Sequence, residues 1–318
     1  MPVLSIVVCR MLEDEVAHLL SADEQIRELI LVDGIESIRL SAKLKALGRP
    51  HILLGLPQIA RNLGQKSWIS NLQPGLFSRW MARLRPSRLG KSNLVVVVSP
   101  LRIGLHVSLE HLRTAVYKEI RQLAVFSDGI LIFYGRCGNS LTDVEKDLFD
   151  LPCPLYFLND EQGERIDDCI AAALGGNEIY SRTLAEHQDV ALFMTPMWAS
   201  NWKAMGEETA PDKRRDLGAM LRGTGMTKVA RIDTGLLFEP GFVEKVDSFA
   251  REFGLQRIEL PGKASVAKGS YERAKSRLLA ARPGSACPGA WVSSLSSKGW
   301  LEPLLAICRM TRKKLLEE

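Results

Sequence analysis

Three cysteines stand where an open α/β fold would build a site. Cys9 follows the apolar run Leu4-Ser5-Ile6-Val7-Val8. Cys137 lies in a glycine turn that ends the run Ile130-Leu131-Ile132-Phe133-Tyr134. Cys169 follows the acidic pair Asp167-Asp168 at the mouth of a helical segment. Ligand crevices of such folds open at the carboxyl ends of strands. Thiolates are soft donors. Three of them match a catalytic zinc, which keeps three protein ligands and one open position, and they also suit iron–sulfur clusters and Cu(I). No Cys-x-x-Cys pair is present, so the spacing names no metal. The competing reading is that a free cysteine is a small buried apolar residue. That reading is adopted for Cys153 in Leu-Pro-Cys-Pro, for Cys287 and for Cys308.

Other groups could act beside the thiols. His106 follows Gly104-Leu105 just before a helix start, as a fourth ligand, a general acid–base or a histidine bonded to backbone. Asp168 adjoins a thiol and is the better site candidate of its pair, while Asp167 is expected to cap the helix. Glu13 and Glu15 follow Cys9 and read as surface helix charge, with Glu13 the better site candidate at i+4 from the thiol. Tyr134 could donate a hydrogen bond into the crevice. Gly135, Gly138 and Asn139 form a strand-to-helix loop of the kind that cradles anions with backbone N–H groups. This loop carries no GxGxxG and no Walker-type Gly-Lys-Ser/Thr, so nucleotide binding has little support.

The elements that must position these residues alternate. Strands are expected at 3–9, 29–32, 94–98, 129–134, 155–158, 190–194, 228–233 and 256–260, with a less definite one near 290–293. Helices are expected near 11–20, 36–47, 108–125 (Ser108 as N-cap), 141–149, 166–174, 177–186, 241–253, 264–281 and 300–317. Such alternation predicts an α/β protein with Rossmann-like parallel sheets covered by helices on both faces. It admits two similar α/β halves: an N-terminal domain over 1–195 that carries the cysteine site, a connecting segment over 196–224, and a C-terminal domain over 225–318.

Residues 57–92 break the pattern. Gly, Pro, Ser and Asn mix there with Trp68, Phe77, Trp80 and many bases, which reads as a basic insertion. The segment belongs to a longer one-signed stretch. Between Glu36 and Glu110 there is no acid, and twelve Lys and Arg residues fall in that interval. A one-signed block is a solvated face or a surface for an anionic partner. Charge with aromatics permits nucleic acid, but no binding motif accompanies it. An acidic protein or a carboxylate-bearing tetrapyrrole fits the same charge.

Composition narrows the class. The chain has 318 residues, 46% hydrophobic and 25% charged, as expected of a soluble globular protein. No apolar run approaches the roughly 20 residues of a membrane helix, and no secretory signal is visible. A cytoplasmic setting is therefore expected, in which six scattered cysteines are thiols, metal ligands or redox groups rather than a disulfide framework.

Cys9 with acids after it, Gly104-Leu105-His106, Tyr134-Gly135-Arg136-Cys137-Gly138-Asn139, Asp168-Cys169-Ile170, Leu174-Gly175 and Tyr180 together resemble an uncharacterised family, a domain of unknown function. That family is common in methanogenic archaea and anaerobic bacteria and is often encoded beside corrinoid-dependent methyltransferases. The resemblance extends through Thr195–Trp198 and Asp233-Thr234-Gly235 to helix 241–253, and covers most of the chain outside 40–93. Here Asp167 replaces a histidine usual before Asp-Cys, Met197 replaces a glycine before Trp198, and a proline after Gly-x-His is missing. The resemblance implies one-carbon metabolism. It would make the protein a zinc–thiolate centre formed by Cys9, Cys137 and Cys169, acting in or beside corrinoid-linked methyl transfer as a methyltransferase or its accessory protein. The implied partners are a corrinoid protein and a small methyl donor. The alternatives are an assembly factor or cofactor chaperone that binds an acidic partner or tetrapyrrole through 57–92, and an iron–sulfur protein.

Overall fold

The computed structural model describes residues 1–64, 94–208, 223–236 and 238–280, with backbone alone for 106–107 and 204–208. Most of the basic stretch, residues 209–222, the strand expected near 290–293, the helix expected over 300–317, Cys287 and Cys308 lie outside the described residues.

Apolar runs without alternation form strands buried on both faces. β1 (Val3–Cys9) is buried at every position and occupies the middle of a six-stranded parallel sheet. Its companions are β2 (Ile26–Val32), β3 (Ile52–Leu54), β4 (Leu94–Leu101), β5 (Gly129–Phe133) and β6 (Leu155–Phe157), in the order β3-β2-β4-β1-β5-β6. After β1 the chain turns toward β2 on one side of the sheet, and after β5 it turns toward β6 on the other. The two connections diverge between β1 and β5, the place where open α/β sheets form their ligand crevice. The register sets its floor, with Val8 opposite Phe133 and Cys9 opposite Leu101 of β4.

Helices flank this sheet. α1 (Glu13–Ala22) follows a 3-10 turn at Arg10–Leu12 and packs on α2 (Ser37–Ala46). α3 (Leu56–Gly64) follows β3, with Ile59 and Leu63 in the core. The basic stretch thus begins as a helix of the fold itself. α4 (Leu109–Ala124) spans β1, β4 and β5. Its N-cap is Ser108 as expected, whose hydroxyl accepts from His111 N–H at 3.3 Å. α5 (Val144–Asp147) is a single turn where a longer helix was expected.

α6 (Cys169–Leu174) and α7 (Asn177–Glu186) lead to a second parallel sheet, β7 (Val190–Met194), β8 (Lys228–Asp233) and β9 (Gln256–Pro261). β7 therefore pairs with strands from the later part of the chain. α8 (Pro196–Glu208) and α9 (Phe242–Phe253) cover this sheet through Trp202, Phe249 and Phe253, with Trp202 edge-on to Phe249 at 4.9 Å. α10 (Ser265–Ala280) returns to the first sheet, where Tyr271 and Lys275 bond Asp23 at 2.7 and 2.9 Å.

The acids at the start of α1 were expected on the surface, yet Glu13, Asp14 and Glu15 are all buried. For Glu13 and Asp14 the cause is Lys43 on α2, a member of the basic block read from sequence as a solvated face or a surface for an anionic partner. Its ammonium lies 2.9 Å from Glu13, 2.6 Å from Asp14 and 2.9 Å from Glu239, and 3.2 Å from Met197 Sδ. Arg39 joins Glu239 at 2.6 Å and Asn201 at 3.1 Å. This cluster ties α1 and α2 to α8 and to the segment before α9. Burial pushes the Glu239 carboxyl up, but Lys43 and Arg39 outweigh it and hold it at about 2.

A folded pKa below the ordinary value contributes stability that is complete above the unfolded pKa and is lost as pH falls toward the folded one. Glu239→Gln should therefore lower stability by about 2 kcal/mol near neutral pH. The gap to wild type should shrink as pH drops from about 4.5 to about 2, read by denaturant unfolding across that range. A gap independent of pH would contradict the ion-pair account.

Candidate functional site

The loop after β5 carries the second thiol, and its shape is dictated by one glycine. A Cβ on Gly135 would lie 2.7 Å from Asp167 O and from Asp168 Cα and N. Only glycine lets the two backbones meet. They are then tied by Arg136 N–H donating to Ile166 O at 2.8 Å and Cys137 N–H donating to Asp167 O at 2.7 Å. Beyond this junction Cys137, Gly138 and Asn139 all take positive φ, at 47°, 64° and 66°. Two of the three carry side chains, and such backbone costs of order 1–3 kcal/mol each. Leu141 N–H closes the turn onto Arg136 O at 3.1 Å. The glycine loop is thus filled by protein: Gly135 faces residues 167–168, and Gly138 faces Leu109 at 3.3 Å.

The same junction sets the third thiol. Cys169 is the first residue of α6, and Asp168 is its N-cap, with Oδ1 accepting from Ile170 and Ala171 N–H at 2.8 and 2.9 Å. The cap was expected at Asp167, which instead pairs with Arg136 at 3.4 Å. Asp168 retains an electrostatic role. Burial pushes its carboxyl up against the lowering effect of the cap bonds and of Tyr180, and its charge raises both Cys137 and Cys169.

Cys9 ends β1 at the neighbouring strand position and is buried. Burial raises its thiol well above the ordinary range, and the charges of Cys169 and Cys137 raise it further. Cys137 is pushed up to about 12, chiefly by burial. Cys169 is raised in turn by burial, Asp168, Cys137 and Glu15, against an indole hydrogen bond from Trp198 Nε1 to Sγ at 3.4 Å. Tyr134 is buried at the end of β5, and its phenol is raised by burial and then by Cys9 and Cys137. The three thiols and Tyr134 therefore share one electrostatic neighbourhood. No three His, Cys, Asp or Glu side chains among the described residues are gathered tightly enough, as they stand, to hold a metal ion.

His106 falls in a short 3-10 turn, Ile103–Val107, and its side chain lies outside the described residues. Cys153 is a free, buried core residue, as expected. Two neighbours escaped the sequence reading. Glu15 was ranked behind Glu13, yet Glu13 pairs with Lys43 while Glu15 acts on Cys9 and Cys169. Trp198 entered the sequence analysis only through the family resemblance, with no part in the site. Its position directly after Met197, which touches Lys43, shows how one helical turn faces both clusters.

The sequence profile described as Protein of unknown function (DUF1638) matches residues 100–270. The chain belongs to this family. No curated protein and no solved structure matches the chain. The DUF1638 match takes in the junction at 135–137, Cys169 and Trp198, and leaves Cys9 and Glu15 outside its bounds.

Gly135→Ala should separate the two loops and cost about 2–4 kcal/mol, since backbone at 2.7 Å cannot yield as a side chain can. Thermal unfolding measures the loss, and thiol labelling should show Cys137 and Cys169 becoming reactive together. A variant of wild-type stability would contradict the close approach.

Proposed function

We infer that this protein is a metal–thiolate protein whose ion, zinc in the first instance, is held by Cys9, Cys137 and Cys169. The observation that supports the reading is that three buried thiols stand at the end of β1, in the loop after β5 and at the start of α6, with the charges of Cys169 and Cys137 raising Cys9. Each thiol is buried, and each is raised by at least one other of the set or by the acids around it. The donor set fits a soft divalent cation. Metal binding requires the side chains to close further than they do here, with release of the thiol protons.

Bound zinc would lower the thiols' pKa and present thiolates at neutral pH. The chain's own groups then have definable parts. Trp198 N–H directs a hydrogen bond at Cys169 and favours its charged form. The buried Tyr134 phenol feels the charges of Cys9 and Cys137, which raise it further. The Asp168 cap holds Cys169 at the helix start. The buried surroundings keep water from the sulfurs. The resemblance supports a setting in corrinoid-linked one-carbon transfer in the cytoplasm, with a corrinoid protein as partner, because a metal-held thiolate is a group that accepts or donates a methyl.

Elemental analysis of the anaerobically purified full chain tests the metal. Wild type should carry near-stoichiometric zinc. Cys9→Ser, Cys137→Ser and Cys169→Ser should each lose most of it, while Cys153→Ser, equally buried but outside the cluster, should keep it. Undiminished metal in all three single variants would overturn the reading. Brown protein with iron and acid-labile sulfide would replace zinc with a cluster on the same thiols.

A further inference from the structure

Arg165 lies between β6 and α6, and the thiol reading gives it no part. Its guanidinium stacks over the Phe157 ring at 3.8 Å, and Nη1 donates to Thr142 O at 3.3 Å. These two contacts fix the plane of the group and engage one of its nitrogens. The other two, Nε and Nη2, are buried without a hydrogen-bond partner. They form the side-on edge of the guanidinium, whose two parallel N–H bonds match a pair of carboxylate or phosphate oxygens. Among the described residues no acid takes that edge. Glu145 reaches Arg165 only through its charge, and Asp167 pairs with Arg136 at 3.4 Å. A buried charged donor left unpaired is costly. Stacking on Phe157 offsets part of that cost but supplies no acceptor. A second guanidinium belongs to the same junction, since Arg136 N–H donates to Ile166 O, next to Arg165, at 2.8 Å. Arg165 is thus left without a counter-ion, two residues from Asp167. Repulsion by that carboxylate favours a singly charged ligand over a phosphate dianion.

We propose that Arg165 anchors a carboxylate-bearing ligand, gripped by Nε–H and Nη2–H together, beside the loop that carries Cys137. Thr142 belongs to the far end of that loop, so its bond to Nη1 ties the site to the carboxyl end of β5. The residue as a whole is only half-buried, and the ligand enters as the side chains over the fork move aside. The site uses no metal and stands apart from the metal–thiolate reading.

Acetate is the probe, titrated into the isotope-labelled full chain at constant ionic strength, with chloride as the control and inorganic phosphate as the rival. Proton–nitrogen spectra follow the arginine Nε–H signals and the backbone amides of residues 136–142. One Nε–H signal, missing in Arg165→Lys, should shift saturably with acetate. Arg165→Lys keeps the charge but loses the fork, and should weaken acetate binding about tenfold or more on the backbone amides. Phosphate bound more tightly than acetate would overturn the carboxylate assignment. An acetate response undiminished in folded Arg165→Lys would overturn the site, as would a wild-type response no larger than that to chloride. Should circular dichroism show that Arg165→Lys does not fold, Arg165→Gln takes its place on the same readouts, and Nε–H signals that stay fixed in wild type still decide against the proposal.

Discussion

The site depends on the contact between two backbones at Gly135. A strand end and a helix start meet there with no side chain between them, and two short hydrogen bonds to Ile166 O and Asp167 O lock the junction. Everything that follows is set by it. Cys137 is turned into left-handed backbone, a conformation that persists only when its surroundings over-determine it. Cys169 is presented at the first position of α6 beside its capping aspartate. Cys9 needs no such device, because the parallel register of β1 against β5 carries it to the same edge.

A second constraint holds the rest of the molecule to this edge. Lys43 is surrounded by Glu13, Asp14 and Glu239, and Arg39 adds a further bond to Glu239. Buried ion pairs are poor sources of net stability, since desolvation offsets much of the attraction. Their value here is positional. Acids and bases from α1, α2 and the segment before α9 satisfy one another only in one mutual arrangement. α8 shares in both constraints through adjacent residues, Met197 against Lys43 and Trp198 against Cys169. The thiol neighbourhood and the ion cluster are thus joined through a single helical turn.

The elements were legible wherever local pattern sufficed. Unbroken apolar runs announced β1, β4 and β5, and Ser108 announced the start of α4. The three thiols could be marked because each stood just past a strand or at a helix mouth. What misled was charge. Acids in the first turn of α1 looked like a solvated helix face, and Lys43 looked like one member of a basic block. Both are buried, because each supplies the other's counter-charge. Asp167 and Asp168 were exchanged as caps, since two adjacent aspartates offer the same side chain and only the backbone turn decides which one faces the free N–H groups.

The amino-acid order alone determined the type of most elements and the placing of the thiols at their ends. Both follow from periodicity and from turn residues that act over a few positions. The tertiary structure alone decided that β4 lies between β1 and β2, that the connections diverge between β1 and β5, and that Glu13 is buried against Lys43. Those outcomes turn on strand pairing and charge pairing between residues far apart in the chain. Such pairs gain their energy only on assembly, so no local window contains the information.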